Sequence, residues 1–185
     1  QKRKDWNGLI SGFKASDLVF LDESGCNTDM TRRYAYSLGG SRAVDSAPLS
    51  KPKNTTILSS IQLDGTLRYT TFSGGTTVER FKRYLETDLL PHLNGNSVLI
   101  MDNMKSHHAK AAKNLLDSSG IRYIYLPPYS PDLNPIEKLW SKVKSFLRKF
   151  KARTLDALPN AIQNAFHSVT ISDCSGWFRF CGYAL

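Results

Sequence analysis

The stretch LPPYSPDLNPIEKLW, residues 126–140, places four prolines ahead of a single glutamate, Glu137. Proline fixes φ and lacks a backbone N–H, so this stretch can be neither a central strand nor a helix interior. Asn134 is a favourable N-cap residue and Pro135 suits the first helical position, which predicts that Glu137 lies in the first turn of a helix. A glutamate there also opposes the helix dipole, which is a purely structural reason for its presence. The rigid approach would nevertheless fix where its carboxylate points, as a Mg²⁺ site needs.

Two apolar runs elsewhere in the chain each end in an aspartate. LVFL precedes Asp22 and VLIM precedes Asp102, and both runs are predicted to be buried strands. A carboxylate at the end of a buried strand is costly to desolvate unless it is paired or bound to a metal. Either aspartate alone could merely cap a turn, but both together with Glu137 could hold two Mg²⁺ ions about 4 Å apart. Without metal, the three carboxylates should repel each other and raise at least one pKa.

The remaining patterns predict a mixed α/β domain. RRYAYSLGG and TTILSSIQLDGTLRYTTFSGG are rich in β-branched and aromatic residues, and Asp64-Gly65 is a hairpin signal, so the first third is predicted to be an antiparallel meander. Helix and strand patterns then alternate, which predicts parallel strands with crossover helices flanking a mixed central sheet. Near the C-terminus, Trp177, Phe178 and Phe180 are predicted to pack in the core.

The composition favours a polyanionic partner and no membrane. The 185 residues carry a net charge of +9, which suits binding to nucleic acid. No apolar run approaches the roughly 20 residues that cross a bilayer, and the basic N-terminal segment has no signal-peptide pattern. Three cysteines without zinc-finger spacing are expected to be reduced thiols of a cytosolic protein.

Three blocks together resemble the signatures of insertion-sequence transposases of the mariner superfamily: LVFLDESG, VLIMDNMKSHH and LPPYSPDLNPIEKLW. This family carries a DDE endonuclease domain with a ribonuclease H-like fold. The resemblance implies that Asp22, Asp102 and Glu137 are the catalytic, metal-binding triad, with two Mg²⁺ ions as cofactor and Mn²⁺ as a substitute. It implies cleavage of DNA at transposable-element ends and strand transfer into target DNA. The 34 residues between Asp102 and Glu137 are typical of one branch of that superfamily, and the resemblance implies the bacterial insertion-sequence branch.

The resemblance also separates the triad from its neighbours. Glu23 should point to the opposite face of the strand from Asp22, and Asp132 should stabilise the turn before the helix. Asn103 and His107 are implied as accessory residues, and the side chain of His107 has either a structural hydrogen bond or a substrate contact as its role.

The predicted helix after the proline stretch is strongly basic. Seven lysines or arginines and no acidic residue lie between Lys138 and Arg153. Lys144 and Arg148 share a face with Glu137, where a phosphate backbone would lie beside the triad, although a charge run is more often a solvated surface. The predicted DNA-contacting residues are Lys105, Lys138, Lys142, Lys144, Arg148 and Lys149. The predicted buried stripe of this helix is Ile136, Leu139, Trp140, Val143, Leu147 and Phe150.

The expected organisation is a basic linker at residues 1–16 followed by the catalytic domain at 17–185. Family members usually carry helix-turn-helix modules upstream, and none fits before Asp22, so a separate helix-turn-helix protein would supply end recognition. The resemblance further implies a homodimer when active and a cytoplasmic, nucleoid-associated location. Two alternatives remain: another ribonuclease H-like nuclease, which would lack the proline block, and a decayed or repurposed copy that binds DNA without cutting it.

Overall fold

The computed structural model describes residues 2–32, 34–46, 48–49 and 52–183. Its centre is a five-stranded sheet with the strand order β3-β2-β1-β4-β5. β2 pairs antiparallel with both β1 and β3, whereas β4 pairs in parallel with both β1 and β5. The predicted mixed sheet is therefore confirmed. The strands are β1 Leu18–Cys26, β2 Thr55–Gln62, β3 Leu67–Ser73, β4 Val98–Met101 and β5 Arg122–Tyr125.

Helices cover both faces of the sheet. Leu18 and Phe20 of β1 belong to one core cluster together with α4, α5 and α6, whereas Val19 and Leu21 belong to a second cluster with α2 and α3. Side chains alternate along a strand, so LVFL is apolar throughout because both of its faces are buried. The helices are α1 Lys2–Ile10, α2 Val78–Tyr84, α3 Lys110–Ser119, α4 Ile136–Phe150, α5 Ala157–His167 and α6 Ile171–Phe180.

None of the helices in the described part of the chain combines the length and apolar character needed to cross a membrane.

The hairpin between β2 and β3 forms at the predicted Asp64-Gly65 pair. Gly65 has a φ of 89°, in the left-handed region that glycine adopts at no steric cost. The Thr66 N–H donates to Asp64 Oδ1 at 2.8 Å, which closes the turn. A Cβ added at Gly65 would lie only 3.0 Å from Ile171 Cγ1 of α6, so this turn also packs closely against the last helix.

The segment RRYAYSLGG is not a strand, contrary to the sequence prediction. The described residues between Cys26 and Thr55 contain no strand, and Tyr34 and Tyr36 are 90% and 106% exposed. Arg33 lies outside the described residues. The aromatic composition favoured a strand, but the described residues of this segment pair with no strand of the sheet.

The segment predicted as a linker, residues 1–16, is partly helical where the structure describes it. Helix α1 occupies Lys2–Ile10, and Trp6 is buried in the larger core cluster. Trp6 anchors this segment to the domain, together with the partly buried Ile10 and Phe13, which pack against the same cluster.

Two predicted core residues lie at helix ends and are exposed instead. Phe150 ends α4 and Phe180 ends α6, with exposures of 47% and 67%. The last residues of a helix extend past the neighbouring layer, so helical periodicity overstates burial there. Phe178 is fully buried as predicted, and its ring meets that of Phe20 edge-on with centroids 5.4 Å apart. Trp177 is partly buried against the same cluster.

Candidate active site

Two aspartates lie side by side where the pairing of β1 with β4 ends: Asp22 is in the middle of β1, and Asp102 directly follows β4. The predicted strand end at Asp22 is wrong, because β1 continues to Cys26 through its pairing with β2. Leu21 of β1 pairs with Met101 of β4 in a parallel ladder, so Asp22 and Asp102 follow at neighbouring positions. Glu137, from the first turn of α4, lines the same cavity of about 450 Å³. The structure therefore brings the three predicted carboxylates to one cavity, and residues 126–131 of the proline stretch form one of its walls.

Asp22 is the buried member of the three. Its Oδ1 accepts the Glu23 N–H at 2.8 Å, and its Oδ2 accepts the indole N–H of Trp140 at 3.1 Å. Burial raises the pKa of Asp22 to about 7, and the charges of Asp102 and Glu137 contribute in the same direction. The prediction that at least one carboxylate pKa is raised is confirmed, with burial as the larger cause.

Asp102 is held by donors on one oxygen. Its Oδ1 accepts the Met104 N–H at 3.0 Å and lies 2.8 Å from His107 Nδ1. Burial acts to raise the pKa of Asp102, but the hydrogen bonds from His107 and from the Met104 N–H outweigh it, and the pKa lies below its ordinary value. The two neighbouring carboxylates are thus electrostatically different.

His107 is completely buried between two carboxylates. Its Nε2 lies 3.2 Å from Glu23 Oε2, and its ring packs against Phe81 with centroids 4.4 Å apart. Burial alone would lower the pKa of His107, but hydrogen bonds to Asp102 and Glu23 raise it to about 9. Of the two roles left open by the sequence, the geometry places the His107 side chain in a structural hydrogen-bond network.

Glu137 occupies the first turn of α4, as predicted. Pro135 has helical dihedrals (φ −57°, ψ −29°), and the Glu137 N–H donates to the Asn134 carbonyl at 3.1 Å. The predicted side-chain cap is absent, because Asn134 Oδ1 is buried without a hydrogen-bond partner among the described residues. The proline stretch, rather than a capping side chain, sets the start of the helix.

The two neighbouring acids are placed differently from the triad. Glu23 points toward His107, whereas Asp22 points toward Trp140 of α4, which confirms that the two side chains leave β1 on opposite faces. Asp132 lies in a 3₁₀ turn, Pro131–Leu133, and neither it nor Glu23 is among the described residues that line the cavity.

A family model described as a DDE superfamily endonuclease matches residues 17–159 of this chain. The chain belongs to that family.

The DDE domain is similar in sequence to one transposase and in fold to another. It is 27% identical over 97 residues to the transposable element Tc1 transposase of Caenorhabditis elegans, a match that covers 50% of this chain and 36% of that protein. The catalytic domain of the Mos1 mariner transposase superposes with a TM-score of 0.73 at 16% identity, covering 96% of this chain and 85% of that chain. The ribonuclease H-like fold class is thereby confirmed.

A pre-cleavage Mos1 transpososome gives a TM-score of 0.80 at 17% identity. That match covers 96% of this chain and 57% of the Mos1 chain. The domain thus spans less than two thirds of the Mos1 chain in that complex and of the Tc1 transposase.

The carboxylate ligands of the DDE site suit a hard cation, although they lie too far apart to coordinate the same ion. All three acidic side chains that line the cavity offer carboxylate oxygens, the ligands that Mg²⁺ prefers. The hydrogen-bond donors to the buried Asp22 carboxylate are neutral N–H groups, so a cation would offset its desolvation. Within the described residues, however, no three His, Cys, Asp or Glu side chains are close enough to hold a metal ion. The three carboxylates would have to approach each other to share one.

The predicted DNA-contacting residues lie on more than one surface of the DDE domain. Lys142 pairs with Asp173 of α6 at 2.5 Å, and the Lys138 ammonium lies 3.8 Å from the centre of the Phe180 ring. These two lysines are therefore engaged with α6.

Lys144 and Arg148 instead face the end of β1. They line a cavity of about 280 Å³ together with residues 25–27 and 29–31. Lys149 lines one cavity with Arg148 and another cavity with Lys138 and Lys142. Lys105 and Asn103 are exposed in the turn after Asp102, and Asn103 also lines the main cavity.

Sequence reasoning assigned Trp140 to the core but missed its contact with Asp22. The residue is 4% exposed, and its indole N–H is the donor that reaches the carboxylate. Its position three residues after Glu137 was a usable signal, because i and i+3 positions lie on neighbouring parts of a helix surface and a buried indole usually finds an acceptor.

Proposed function

We propose that this DDE domain is the catalytic domain of a transposase that cuts DNA at the ends of a transposable element and joins them to target DNA. The observation that carries the proposal is the convergence of Asp22, Asp102 and Glu137 on one cavity in a chain of the DDE endonuclease family. The similarity to the Tc1 and Mos1 transposases supports DNA as the substrate. The resemblance of the three sequence blocks to insertion-sequence transposases supports the bacterial branch of the superfamily.

The three carboxylates are proposed to hold two Mg²⁺ ions, with Mn²⁺ as a substitute. An all-oxygen donor set favours both of these ions over softer metals. Mos1 paired-end complexes solved with Mg and with Mn support the choice. When bound, such ions supply activation of the attacking hydroxyl and stabilisation of charge at the phosphate.

The residues of the chain itself orient the reacting groups. The Glu23 N–H and Trp140 fix the Asp22 carboxylate, and the Met104 N–H and His107 fix that of Asp102. Lys144 and Arg148 lie further along α4 from Glu137, by about two and three helical turns. Cations there would hold a DNA phosphate backbone beside the carboxylates without reading its sequence.

A separate helix-turn-helix protein is proposed to recognise the element ends, because lysines and arginines along α4 suit phosphate contact rather than base readout. The active form is proposed to be a homodimer, since two element ends must be processed together. The paired-end complexes of Mos1 support an assembly of this kind. We place the protein in the cytoplasm, associated with the nucleoid, where its proposed substrate lies.

The test is cleavage of DNA that carries the element ends, with Mg²⁺ or Mn²⁺. Asp22→Asn, Asp102→Asn and Glu137→Gln should each abolish cleavage while leaving DNA binding intact. Asp132→Asn is the matched control, because it changes an exposed carboxylate outside the cavity, and it should retain activity. Binding by the wild type without cleavage in either metal would favour a repurposed, non-cutting copy.

A further inference from the structure

We propose that His107 is a positioning residue, which holds the Asp102 carboxylate for metal binding by bridging it to Glu23. The inference rests on the proposed function of Asp102 as a metal ligand. It assigns a role to His107 and to Glu23, the acidic residue next to Asp22 that does not line the cavity.

The bridge is defined by both nitrogens of one buried ring. Nδ1 lies 2.8 Å from Asp102 Oδ1, and Nε2 lies 3.2 Å from Glu23 Oε2. The ring thus joins the carboxylate that directly follows β4 to a carboxylate in the interior of β1.

The surroundings fix the ring independently of the two carboxylates. Phe81 of α2 packs on it with centroids 4.4 Å apart. The Tyr125 hydroxyl of β5 donates to the His107 carbonyl at 2.9 Å, and the His107 N–H donates to the Met104 carbonyl at 3.0 Å. Because both the backbone and the ring are held, His107 can impose a direction on a more mobile partner.

Asp102 is such a partner. Its side chain is 45% exposed, so packing alone does not determine its orientation. The Met104 N–H and His107 both engage Oδ1, which leaves Oδ2 available to a further ligand. A histidine that acts through a metal-binding carboxylate in this way changes metal affinity without touching the metal.

Glu23 gains a hydrogen-bond partner from the same ring. Its side chain is only 11% exposed, and its second oxygen, Oε1, has no hydrogen-bond partner among the described residues. A buried polar group of this kind is costly unless it is hydrogen-bonded. His107 is itself 0% exposed, so it influences the site through Asp102 rather than by touching DNA.

The test uses the two amides that each reproduce half of the bridge. In His107→Asn the amide nitrogen falls near the position of Nδ1 and can still donate to Asp102. In His107→Gln it falls near the position of Nε2 and can donate only to Glu23.

We measure the Mn²⁺ concentration that gives half of the metal-induced rise in melting temperature, together with DNA affinity in EDTA. Leu116→Ala is the stability control, because Leu116 is fully buried in the cluster that contains Phe81 and does not line the cavity.

The proposal predicts that His107→Gln raises the half-saturating Mn²⁺ concentration by about 10- to 100-fold. His107→Asn should stay within a few-fold of wild type, and Leu116→Ala should melt lower with an unchanged Mn²⁺ response. DNA affinity in EDTA should not change. Equal Mn²⁺ responses of the Asn and Gln variants would overturn the bridge while the wild-type shift still supported the proposed function. A wild type that gains no stability from Mn²⁺ would instead contradict the metal site, and the bridge with it.

Discussion

Replacing Asp22 by asparagine should stabilise the metal-free protein relative to wild type as the pH rises. The folded protein raises the pKa of Asp22 from 3.8 to about 7, chiefly by burial. Between these two pKa values the folded state binds more protons than the unfolded state, so the free energy of unfolding falls as pH increases. The stability contribution is complete below the unfolded pKa and is lost as the pH passes the folded pKa. The substituted asparagine would carry no charge at any pH and would remove this loss.

The difference between the two pKa values corresponds to about 4 kcal/mol. Roughly 3 kcal/mol of this stability contribution is lost between about pH 4.5 and about pH 8.5. Asparagine also has a cost, because its amide can accept only one of the hydrogens donated by the Glu23 N–H and Trp140. That cost is about 1–3 kcal/mol and depends little on pH. The change in the mutational effect between the two pH values therefore isolates the charge.

The assay is urea unfolding of both proteins at the two pH values, in EDTA and with a reducing agent, since all three cysteines are buried free thiols. Groups common to both proteins, including His107, largely cancel in the comparison. Asp156→Asn serves as the exposed-carboxylate control, because the Asp156 side chain is exposed and makes no cap hydrogen bond, and it should differ from wild type by less than about 0.5 kcal/mol at either pH. An Asp22→Asn effect that is the same at both pH values would refute the reasoning, because the carboxylate would then not be a destabilised charge.

Three further changes should have measurable effects. Neutralising Lys144 and Arg148 together should weaken DNA binding similarly on all sequences and reduce the slope of log K against log salt by about 2, measured by fluorescence anisotropy; a loss limited to one sequence would indicate base readout. Trp140→Phe should destabilise the protein by about 1 kcal/mol more at pH 8.5 than at pH 4.5 in urea unfolding, because its indole N–H supports the ionised form of Asp22. Gly65→Ala should lower the free energy of unfolding by more than about 1 kcal/mol, since its φ is 89° and the added methyl would crowd α6; an unchanged denaturation midpoint would show that the hairpin relaxes freely.

The parts of the site that were predictable depend on local patterns. An apolar run followed by an aspartate placed Asp102 correctly at the end of β4 and Asp22 beside it, although β1 continues past Asp22 to Cys26 through its pairing with β2. The prolines before Glu137 and the helical periodicity after it fixed the start of α4 to within one residue. These signals lie within a few residues of the positions that they predict.

The parts that were missed depend on contacts between distant segments. Tyr34 and Tyr36 have strand-forming character, but the sequence does not reveal whether a partner strand lies beside them. Which carboxylate carries the raised pKa was also undecided, since Asp22 and Asp102 follow similar apolar runs. Burial raises the pKa of Asp22, whereas the hydrogen bond from His107 is the main cause that lowers the pKa of Asp102.

The most direct test of the account is to locate Mn²⁺ by anomalous X-ray diffraction from crystals of this chain bound to element-end DNA. The account predicts anomalous peaks between the carboxylates of Asp22, Asp102 and Glu137, with oxygen atoms of all three within coordination distance. Peaks elsewhere on the chain, with these three carboxylates free of metal, would contradict the assignment of the active site.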